Sequence, residues 1–249
     1  MCRHLAYLGP AVPLSELLFD PPHALVRQSW APADMRGGGT VNADGFGVAW
    51  YPPDAPTPVR YRRTVPMWTD TTLPELARAT TAGAVLAAVR SGTVGMPVVE
   101  TAAAPFVDGS WSFSHNGVVR GWPGSLAKLA GRLPVTDLLT LDAPTDAALL
   151  WALTRDRLRA GVDPAEAVAD VVTEVERAAP GSRLNLLLTD GTRLVATTVG
   201  HALSVRRGTD AVLVSSEPLD PDPMWQAVPD RRLLVATPSA LDLVPLGRP

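Results

Sequence analysis

The only cysteine of the 249-residue chain is its second residue, and this position suggests chemistry. Initiator methionine is normally removed before a small residue, so we expect the mature chain to begin with Cys2. A thiol beside a free α-amino group, whose pKa is about 8, carries nucleophile and base in one residue. A lone cysteine is otherwise most often a small buried hydrophobe. The position favours an N-terminal nucleophile and leaves a structural role open.

Asn116 and Gly117 form a dipeptide with two compatible interpretations. Apolar and polar residues alternate over 110–119, and Asn-Gly within such a pattern predicts a hairpin with a type I′ turn. An exposed Asn amide and a Gly backbone N–H can also point together at an oxyanion that develops during acyl transfer.

Two charged residues stand at the ends of predicted elements. Arg90 closes the apolar run 84–89, so its guanidinium either reaches solvent or grips a carboxylate through two hydrogen bonds. Asp146 follows Thr145 at the start of a predicted helix, where it is either the N-cap or an acceptor for a substrate ammonium group.

The sequence gives little support for disulfide bonds, metal sites or a dinucleotide-binding site. One cysteine cannot form an internal disulfide, a zinc ribbon or an iron–sulfur framework. The glycines of 45–47 lack the third glycine of a dinucleotide-binding loop. A structural role is expected for each of the four histidines, which lack metal-ligand spacing: His4, His23, His115 and His201. We therefore predict an enzyme that needs no cofactor and no metal.

Charge and hydropathy indicate the class of partner. The formal net charge of −3 argues against nucleic acid, and no apolar run approaches the roughly 20 residues of a membrane helix. We expect a cytoplasmic protein that binds a small molecule; its oligomeric state stays open.

The elements that must position these residues follow from periodicity. Alternating or continuous apolar segments predict strands at 5–8, 45–51, 83–90, 110–119, 183–189, 193–199, 211–215 and 231–236. Helical spacing predicts helices at 71–79, 146–158 and 164–179. Asp190-Gly191 predicts a second hairpin turn, and the loop 31–44 with Gly37-Gly38-Gly39 is either a lid or a plain linker. Strands, two long helices and strands again favour antiparallel sheets with a helical layer, in one domain over 1–249.

The motifs, taken in order, resemble the class II glutamine amidotransferase domain, an N-terminal-nucleophile hydrolase. The motifs that carry the resemblance are Cys2, AVRSGTVG at 88–95, SHNG at 114–117 and Thr145-Asp146. The resemblance covers most of the chain. It implies an α+β fold, a four-layer αββα sandwich of two antiparallel sheets flanked by helices.

The resemblance also implies roles. Cys2 would attack the γ-carbonyl of a glutamine-like substrate and form a γ-glutamyl thioester, while Asn116 and Gly117 would form the oxyanion hole. Three residues would hold the glutamyl group: Arg90 at the α-carboxylate, Thr93 assisting it, and Asp146 at the α-ammonium.

Two departures favour hydrolysis over ammonia transfer. Ser91 and Val94 stand where the common motif has tryptophan and histidine, and the 249 residues include no synthase segment. A glutaminase subunit that supplies ammonia to a separate synthase remains an alternative, as does a scaffold that binds γ-glutamyl ligands without turnover.

Longer segments narrow the resemblance to the branch of the family that acts in ergothioneine biosynthesis. These segments are 19–23, 42–50, 89–98 and 104–119. The substrate of that branch is a γ-glutamyl amide with a trimethylammonium group, which favours an aromatic face. We nominate Trp68 or Trp30, both in loop-like contexts, to line the distal part of the pocket.

Overall fold

Two antiparallel β-sheets face each other in the computed structural model, which describes residues 2–36, 38 and 41–247. Its strands, numbered in chain order, are β1 (Arg3–Pro13), β2 (Phe46–Trp50), β3 (Val59–Arg63), β4 (Thr81–Val89), β5 (Phe106–Asp108), β6 (Trp111–Val118), β7 (Arg183–Thr189), β8 (Leu194–Thr198), β9 (Ser204–Arg207), β10 (Val212–Ser215), β11 (Trp225–Ala227), β12 (Arg232–Ala236) and β13 (Leu241–Pro245). The first sheet has the order β11-β9-β10-β1-β4-β2-β3, and the second has the order β13-β12-β8-β7-β6-β5.

Helices cover the outer face of each sheet. They are α1 (Ser15–Leu18), α2 (Leu25–Gln28), α3 (Leu73–Ala79), α4 (Ala127–Ala130), α5 (Val135–Leu139), α6 (Asp146–Arg159) and α7 (Pro164–Ala178), with short 3₁₀ turns at Met67–Thr69, Glu100–Ala102 and Gly124–Leu126. The short helices α1, α2 and α3 pack on the first sheet, and the long helices α6 and α7 pack on the second. The predicted four-layer α+β sandwich is confirmed.

Alternation along β1 shows how one strand serves two layers. Leu5 and Tyr7 pack toward the helices, whereas Ala6 and Leu8 pack between the sheets. Successive side chains of a strand point to opposite faces, so a central strand with both faces covered is apolar on both. Cys2, which directly precedes β1, therefore has a fixed place at one end of the sandwich.

The long helices begin where their capping residues predict. The Asp163 side chain accepts hydrogen bonds from the N–H groups of Ala165 and Glu166 at the start of α7, and Pro164 occupies the first helical turn. The Trp151 ring on α6 stacks on Phe113 of β6 with 5.4 Å between ring centroids. This contact fixes α6 against the strand that carries Asn116 and Gly117.

The hairpin predicted at Asn116-Gly117 is wrong. Both residues lie inside β6, where they pair with Asn185 and Leu184 of β7. The turn into β6 lies at Gly109, whose φ of 56° is the left-handed conformation that glycine tolerates. The predicted turn at Asp190-Gly191 is confirmed, and it joins β7 to β8.

Two earlier expectations concern residues outside the described part of the chain. The first concerns Met1, whose removal would expose Cys2, and the second concerns Gly37 and Gly39 of the predicted lid. In the part of the chain that the structure describes, no helix is both long enough and apolar enough to cross a membrane. The assignment of 1–249 to one domain stays a prediction.

Candidate active site

A pocket that is partly open to solvent lies at the end of the sandwich where β1 begins. Five of the predicted site residues line it: Cys2, Arg90, Thr93, Gly117 and Asp146. The rest of its wall includes the apolar residues Met96, Ala102, Ala104 and Phe106. The fold therefore brings together residues from four separate parts of the sequence around one cysteine.

Cys2 is half-buried, and its backbone is anchored by the residue that follows it. The Cys2 Sγ lies 3.9 Å from the carbonyl oxygen of Ser91, and the Cys2 carbonyl accepts a hydrogen bond of 3.0 Å from Arg3 Nη1. The Arg3 side chain is fully buried and its Nε donates to Glu217 Oε1 over 2.9 Å. Because a buried guanidinium needs partners on every side, Arg3 can hold the backbone of Cys2 in place.

Glu217 completes this anchor. Its Oε2 accepts hydrogen bonds from His23 Nε2 at 2.6 Å and from the Ala33 N–H at 2.7 Å. Burial by itself would raise the pKa of Glu217, but the hydrogen bonds from His23 and Ala33 and the charge of Arg3 hold that pKa below its ordinary value. The carboxylate stays ionised near neutral pH, which keeps the Arg3 contact intact.

Arg90 lies directly after β4 and is 8% exposed. Its Nη1 contacts the Asp44 carbonyl at 3.4 Å, and its buried Nη2 has no hydrogen-bond partner among the described residues. The Asp44 carboxylate accepts a 2.7 Å hydrogen bond from the Gly92 N–H and so fixes the loop that follows Arg90. A guanidinium in a pocket wall with an unused N–H group is suited to bind a carboxylate.

Asp146 is the first residue of α6, and the interpretation of Asp146 as N-cap is wrong. Thr145 caps the helix, because its Oγ1 accepts a 3.2 Å hydrogen bond from the Ala148 N–H. Asp146 Oδ2 accepts from the Val119 N–H at 3.0 Å, and Oδ1 accepts from the Ala147 N–H at 2.8 Å. These two donors fix the orientation of the carboxylate, which lines the pocket and can attract an ammonium group there.

Gly117 lines the pocket, and glycine is the residue that fits at this position. A Cβ at this position would overlap the Arg183 carbonyl of the paired strand. The neighbouring His115 also lines the pocket, and its Nε2 donates to that same carbonyl over 3.0 Å. Sequence reasoning assigned His115 only a structural role, and its position two residues before Gly117 on the same strand face was the available signal.

Asn116 points to the opposite face of β6, between the two sheets. Its side chain is fully buried, and Nδ2 lies 3.1 Å from Ser216 Oγ. Its Oδ1 has no hydrogen-bond partner among the described residues. Asn116 is therefore next to the pocket residue Gly117 in sequence. Its side chain, however, points away from His115 and Gly117 and enters the space between the sheets.

The sequence profile described as "Glutamine amidotransferases class-II" matches residues 17–209, which is more than half of the chain. The chain belongs to this family. Two similar proteins are the gamma-glutamyl-hercynylcysteine sulfoxide hydrolases of Mycobacterium tuberculosis and Mycolicibacterium smegmatis. The first is 40% identical over 248 residues, 100% of this chain and 98% of that protein. The second is 40% identical over 246 residues, 99% of this chain and 100% of that protein.

Solved structures of class II amidotransferases share the fold. A protein of Silicibacter pomeroyi described as a "glutamine aminotransferase class-II domain protein" aligns with a TM-score of 0.71 at 24% identity over 100% of both chains. The glutamine phosphoribosylpyrophosphate amidotransferase of Bacillus subtilis aligns with a TM-score of 0.67 at 13% identity, over 99% of this chain and 49% of that one. At these identities the likeness concerns the fold alone.

The two nominated tryptophans of this class II amidotransferase lie on its surface. Neither Trp30 nor Trp68 is among the described residues that line the pocket. Trp30 is 42% exposed, and the Arg27 guanidinium lies 3.9 Å from the centre of its ring. Trp68 is 39% exposed in the turn Met67–Thr69. A role for either ring in binding substrate stays a prediction.

The remaining geometry defines the chemistry that this amidotransferase site can perform. A thiol, a guanidinium with an unused N–H group and a carboxylate line one pocket with a partly apolar wall. Within residues 2–36, 38 and 41–247, no group of three or more His, Cys, Asp or Glu side chains could hold a metal ion. The arrangement suits nucleophilic attack on an acyl group whose other end carries both an amine and a carboxylate.

Proposed function

We propose that this amidotransferase hydrolyses the γ-glutamyl amide bond of γ-glutamyl-hercynylcysteine S-oxide, releasing glutamate and hercynylcysteine S-oxide in ergothioneine biosynthesis. The observation that carries the proposal is the 40% identity to two hydrolases named for this substrate, which extends over 99–100% of the chain. A pocket with opposite charges beside Cys2 supports it, because the glutamyl half of the substrate is a zwitterion.

In this proposal the glutamyl group binds by its charged end. The α-carboxylate pairs with the unused N–H group of Arg90, assisted by Thr93, and the α-ammonium pairs with Asp146. Since both charges are held by residues fixed at element ends, the γ-carbonyl is placed against Cys2. Positioning of this kind supplies a large part of the barrier reduction in acyl transfer.

The chemical steps then use Cys2 alone as nucleophile and base. After removal of Met1, the free α-amine of Cys2 takes the proton of the thiol, and Sγ attacks the γ-carbonyl carbon. The resulting oxyanion accepts hydrogen bonds from the Gly117 N–H and the Asn116 amide. The C–N bond breaks as the ammonium returns its proton to the leaving nitrogen. Water then hydrolyses the γ-glutamyl thioester, which releases glutamate and restores the thiol.

A thiol nucleophile also bears on location and partners. We propose a cytoplasmic location, because that compartment keeps thiols reduced. The proposed partner is the small γ-glutamyl substrate alone, with no nucleic acid and no membrane.

The test compares kcat/KM for glutamate release from γ-glutamyl-hercynylcysteine S-oxide with that from free glutamine. We expect a preference of at least about 100-fold for the conjugate, since only the conjugate has a large leaving group to bind. An equal or greater value for glutamine would contradict the proposal and favour a glutaminase subunit. The Cys2→Ala variant should release no glutamate, and Cys2→Ser tests whether a hydroxyl can replace the thiol.

Mass spectrometry of the active protein provides an independent check of the mechanism. The measured mass should correspond to a chain that begins with Cys2. A fully active enzyme that retains Met1 would contradict the free amine as base.

A further inference from the structure

We propose that Ser216 is a positioning residue, which holds the Asn116 carboxamide at a fixed distance from the strand that carries Cys2. The inference deepens the proposed function, since it concerns how the oxyanion hole of that reaction is assembled. It rests on a buried contact between the two sheets that the proposed mechanism does not itself require.

The Ser216 hydroxyl is bound to the backbone of β1 close to the nucleophile. Ser216 follows β10 directly, and its N–H donates to the His4 carbonyl at 2.9 Å. The His4 N–H donates to Ser216 Oγ at 3.0 Å, and Ser216 Oγ lies 3.2 Å from the same carbonyl. His4 is two residues from Cys2, so this hydroxyl is fixed relative to the reacting thiol.

The same hydroxyl reaches across to the second sheet. Asn116 Nδ2 on β6 donates to Ser216 Oγ over 3.1 Å. A hydroxyl has one donor and two acceptor positions, and these are all used when Ser216 donates to the His4 carbonyl and accepts from His4 and Asn116. One oxygen atom therefore joins the strand that carries the nucleophile to the strand that carries the oxyanion hole.

Asn116 depends on this contact for its orientation. The terminal torsion of an Asn side chain is broad, so the carboxamide turns freely unless a partner holds it. Its Oδ1 is buried without a partner among the described residues, which leaves Ser216 as the contact that fixes the plane of the amide. Because one N–H of the amide bonds to Ser216, the second N–H has a defined direction. In the proposed mechanism, this second N–H binds the oxyanion.

A neighbouring cross-sheet contact lacks this property. His4 Nδ1 and Ser114 Oγ lie 2.9 Å apart and also join β1 to β6. Burial first, and then the charges of His115, His201 and Arg3, hold the pKa of His4 well below its ordinary value, so the ring is neutral near pH 7. This contact ties the strands together without touching Asn116. The orientation of Asn116 therefore rests on Ser216.

The test uses Ser216→Ala with Ser215→Ala as the matched control. Ser215 is also fully buried at the end of β10, but it belongs to the opposite face, with Gln28 Nε2 3.5 Å from its hydroxyl. We expect Ser216→Ala to lower kcat about 10- to 100-fold with KM changed less than about twofold, since loss of an oxyanion donor itself costs about 10²- to 10³-fold. Ser215→Ala should stay within about twofold of the wild type in both constants, and Ser216→Thr, which keeps the hydroxyl, should recover most of kcat.

A double-mutant cycle separates positioning from general damage. In an Asn116→Ala background, Ser216→Ala should have no further effect on kcat, because the group that it positions is already gone. Equal effects in both backgrounds, or a loss confined to KM, would overturn the proposal. So would an unchanged kcat in Ser216→Ala.

The experiment also distinguishes the failure of this inference from failure of the proposed substrate. Each variant is measured on the conjugate, on glutamine and on a chromogenic γ-glutamyl anilide, so a wrong natural substrate leaves the comparison intact. The side-chain amide signals of Asn116 in ¹⁵N NMR provide a readout without turnover. The carboxamide gives two separate proton resonances in every variant, because rotation about its C–N bond is slow. The resonance of the N–H that donates to Ser216 should move in Ser216→Ala and should stay near its wild-type position in Ser216→Thr. Signals that stay the same in Ser216→Ala would also overturn it.

Discussion

The space between the two sheets has two unlike parts. Next to Cys2 it is polar, with the buried side chains His4, Ser114, Asn116, Asn185 and Ser216. Farther along β1 it is apolar and tightly filled, with Leu8, Leu187, Leu194, Val212 and Leu234 among its residues. In the polar part, His4 Nε2 and Asn116 Oδ1 have no hydrogen-bond partner in the described residues. A buried polar atom without a partner costs about 1–3 kcal/mol.

These two parts contribute differently to stability and to chemistry. The apolar part buries its side chains without polar costs and holds the sheets together. The polar part carries the cost of unsatisfied buried groups, and that cost falls in the region next to Cys2. Substitutions in the two parts should therefore separate activity from stability.

The largest expected effect is on activity, at Arg90. Replacing it, as Arg90→Met, should lower kcat/KM about 10²- to 10⁴-fold, because removal of one partner of a buried ion pair costs about 3–5 kcal/mol. The free energy of unfolding should change by less than about 1 kcal/mol, since Arg90 Nη2 has no partner among the described residues. Steady-state kinetics and denaturant unfolding measure the two quantities.

Arg90→Lys is the matched control for the geometry of that contact. It keeps the charge but loses the planar fork, so an intermediate kcat/KM is expected. A wild-type kcat/KM in Arg90→Met would show that Arg90 does not bind the substrate.

The opposite outcome is expected in the apolar part. Leu234 on β12 is fully buried between the sheets, and Leu234→Ala should destabilise the fold by about 2–5 kcal/mol. Below its unfolding temperature, the variant should keep kcat/KM within about threefold of the wild type. A large loss of activity in a variant that is still folded would show that the two parts are not independent.

Acid should lower the free energy of unfolding through His201, which contacts Asn185 of the polar part. Its carbonyl accepts from Asn185 Nδ2, its Nδ1 accepts from the Ala202 N–H, and burial, together with the charges of Arg3 and Arg183, lowers its pKa to about 4. Between pH 4 and pH 6.5 the unfolded chain, whose histidine has a pKa near 6.5, binds more protons than the folded protein does. Stability is therefore fully present above pH 6.5 and falls as the pH drops toward 4.

His201→Asn tests this pH dependence. The Asn side chain can still accept the Ala202 hydrogen bond but does not titrate, so the curve of unfolding free energy against pH should be flatter between pH 4 and 6.5. An unchanged slope over this range would assign the acid sensitivity to other groups, such as His4.

The smallest expected effect concerns the nominated tryptophans. If the site extends to Trp68, then Trp68→Ala should raise KM for the trimethylammonium conjugate about 2- to 5-fold, because an exposed cation–π contact contributes about 0.5–1 kcal/mol. KM for glutamine, which lacks that group, should not change. Trp30→Ala is the matched comparison, since Arg27 already occupies one face of that ring. Unchanged KM values in both variants would show that neither tryptophan ring contacts the trimethylammonium group.

Local patterns were sufficient for much of the fold. The segment 183–189 was predicted with the bounds that β7 has, and the cores of α6 and α7 follow from apolar residues at helical spacing. The strand β3 (Val59–Arg63) was missed, because three of its five residues are arginines. It lies at the edge of its sheet, where charged side chains can reach solvent and protect the exposed edge.

Other errors arose where a residue had two physical uses. Asn-Gly favours a turn, yet Gly117 is required by the close approach of the Arg183 carbonyl inside a strand. Both Thr145 and Asp146 suit a helix start, and only their geometry shows that Thr145 is the cap while Asp146 holds Val119. Short patterns cannot resolve such cases, because the competing partner is distant in sequence.

Sequence patterns indicate the types of the main elements, the position of the thiol at residue 2 and the order of motifs that marks a class II amidotransferase. Those properties depend on composition and local spacing. The folded structure was needed to find that Ser216 contacts Asn116, 100 residues away, and that Glu217 binds Arg3, 214 residues away. Such contacts depend on how two sheets pack face to face, and that packing is a property of the whole chain.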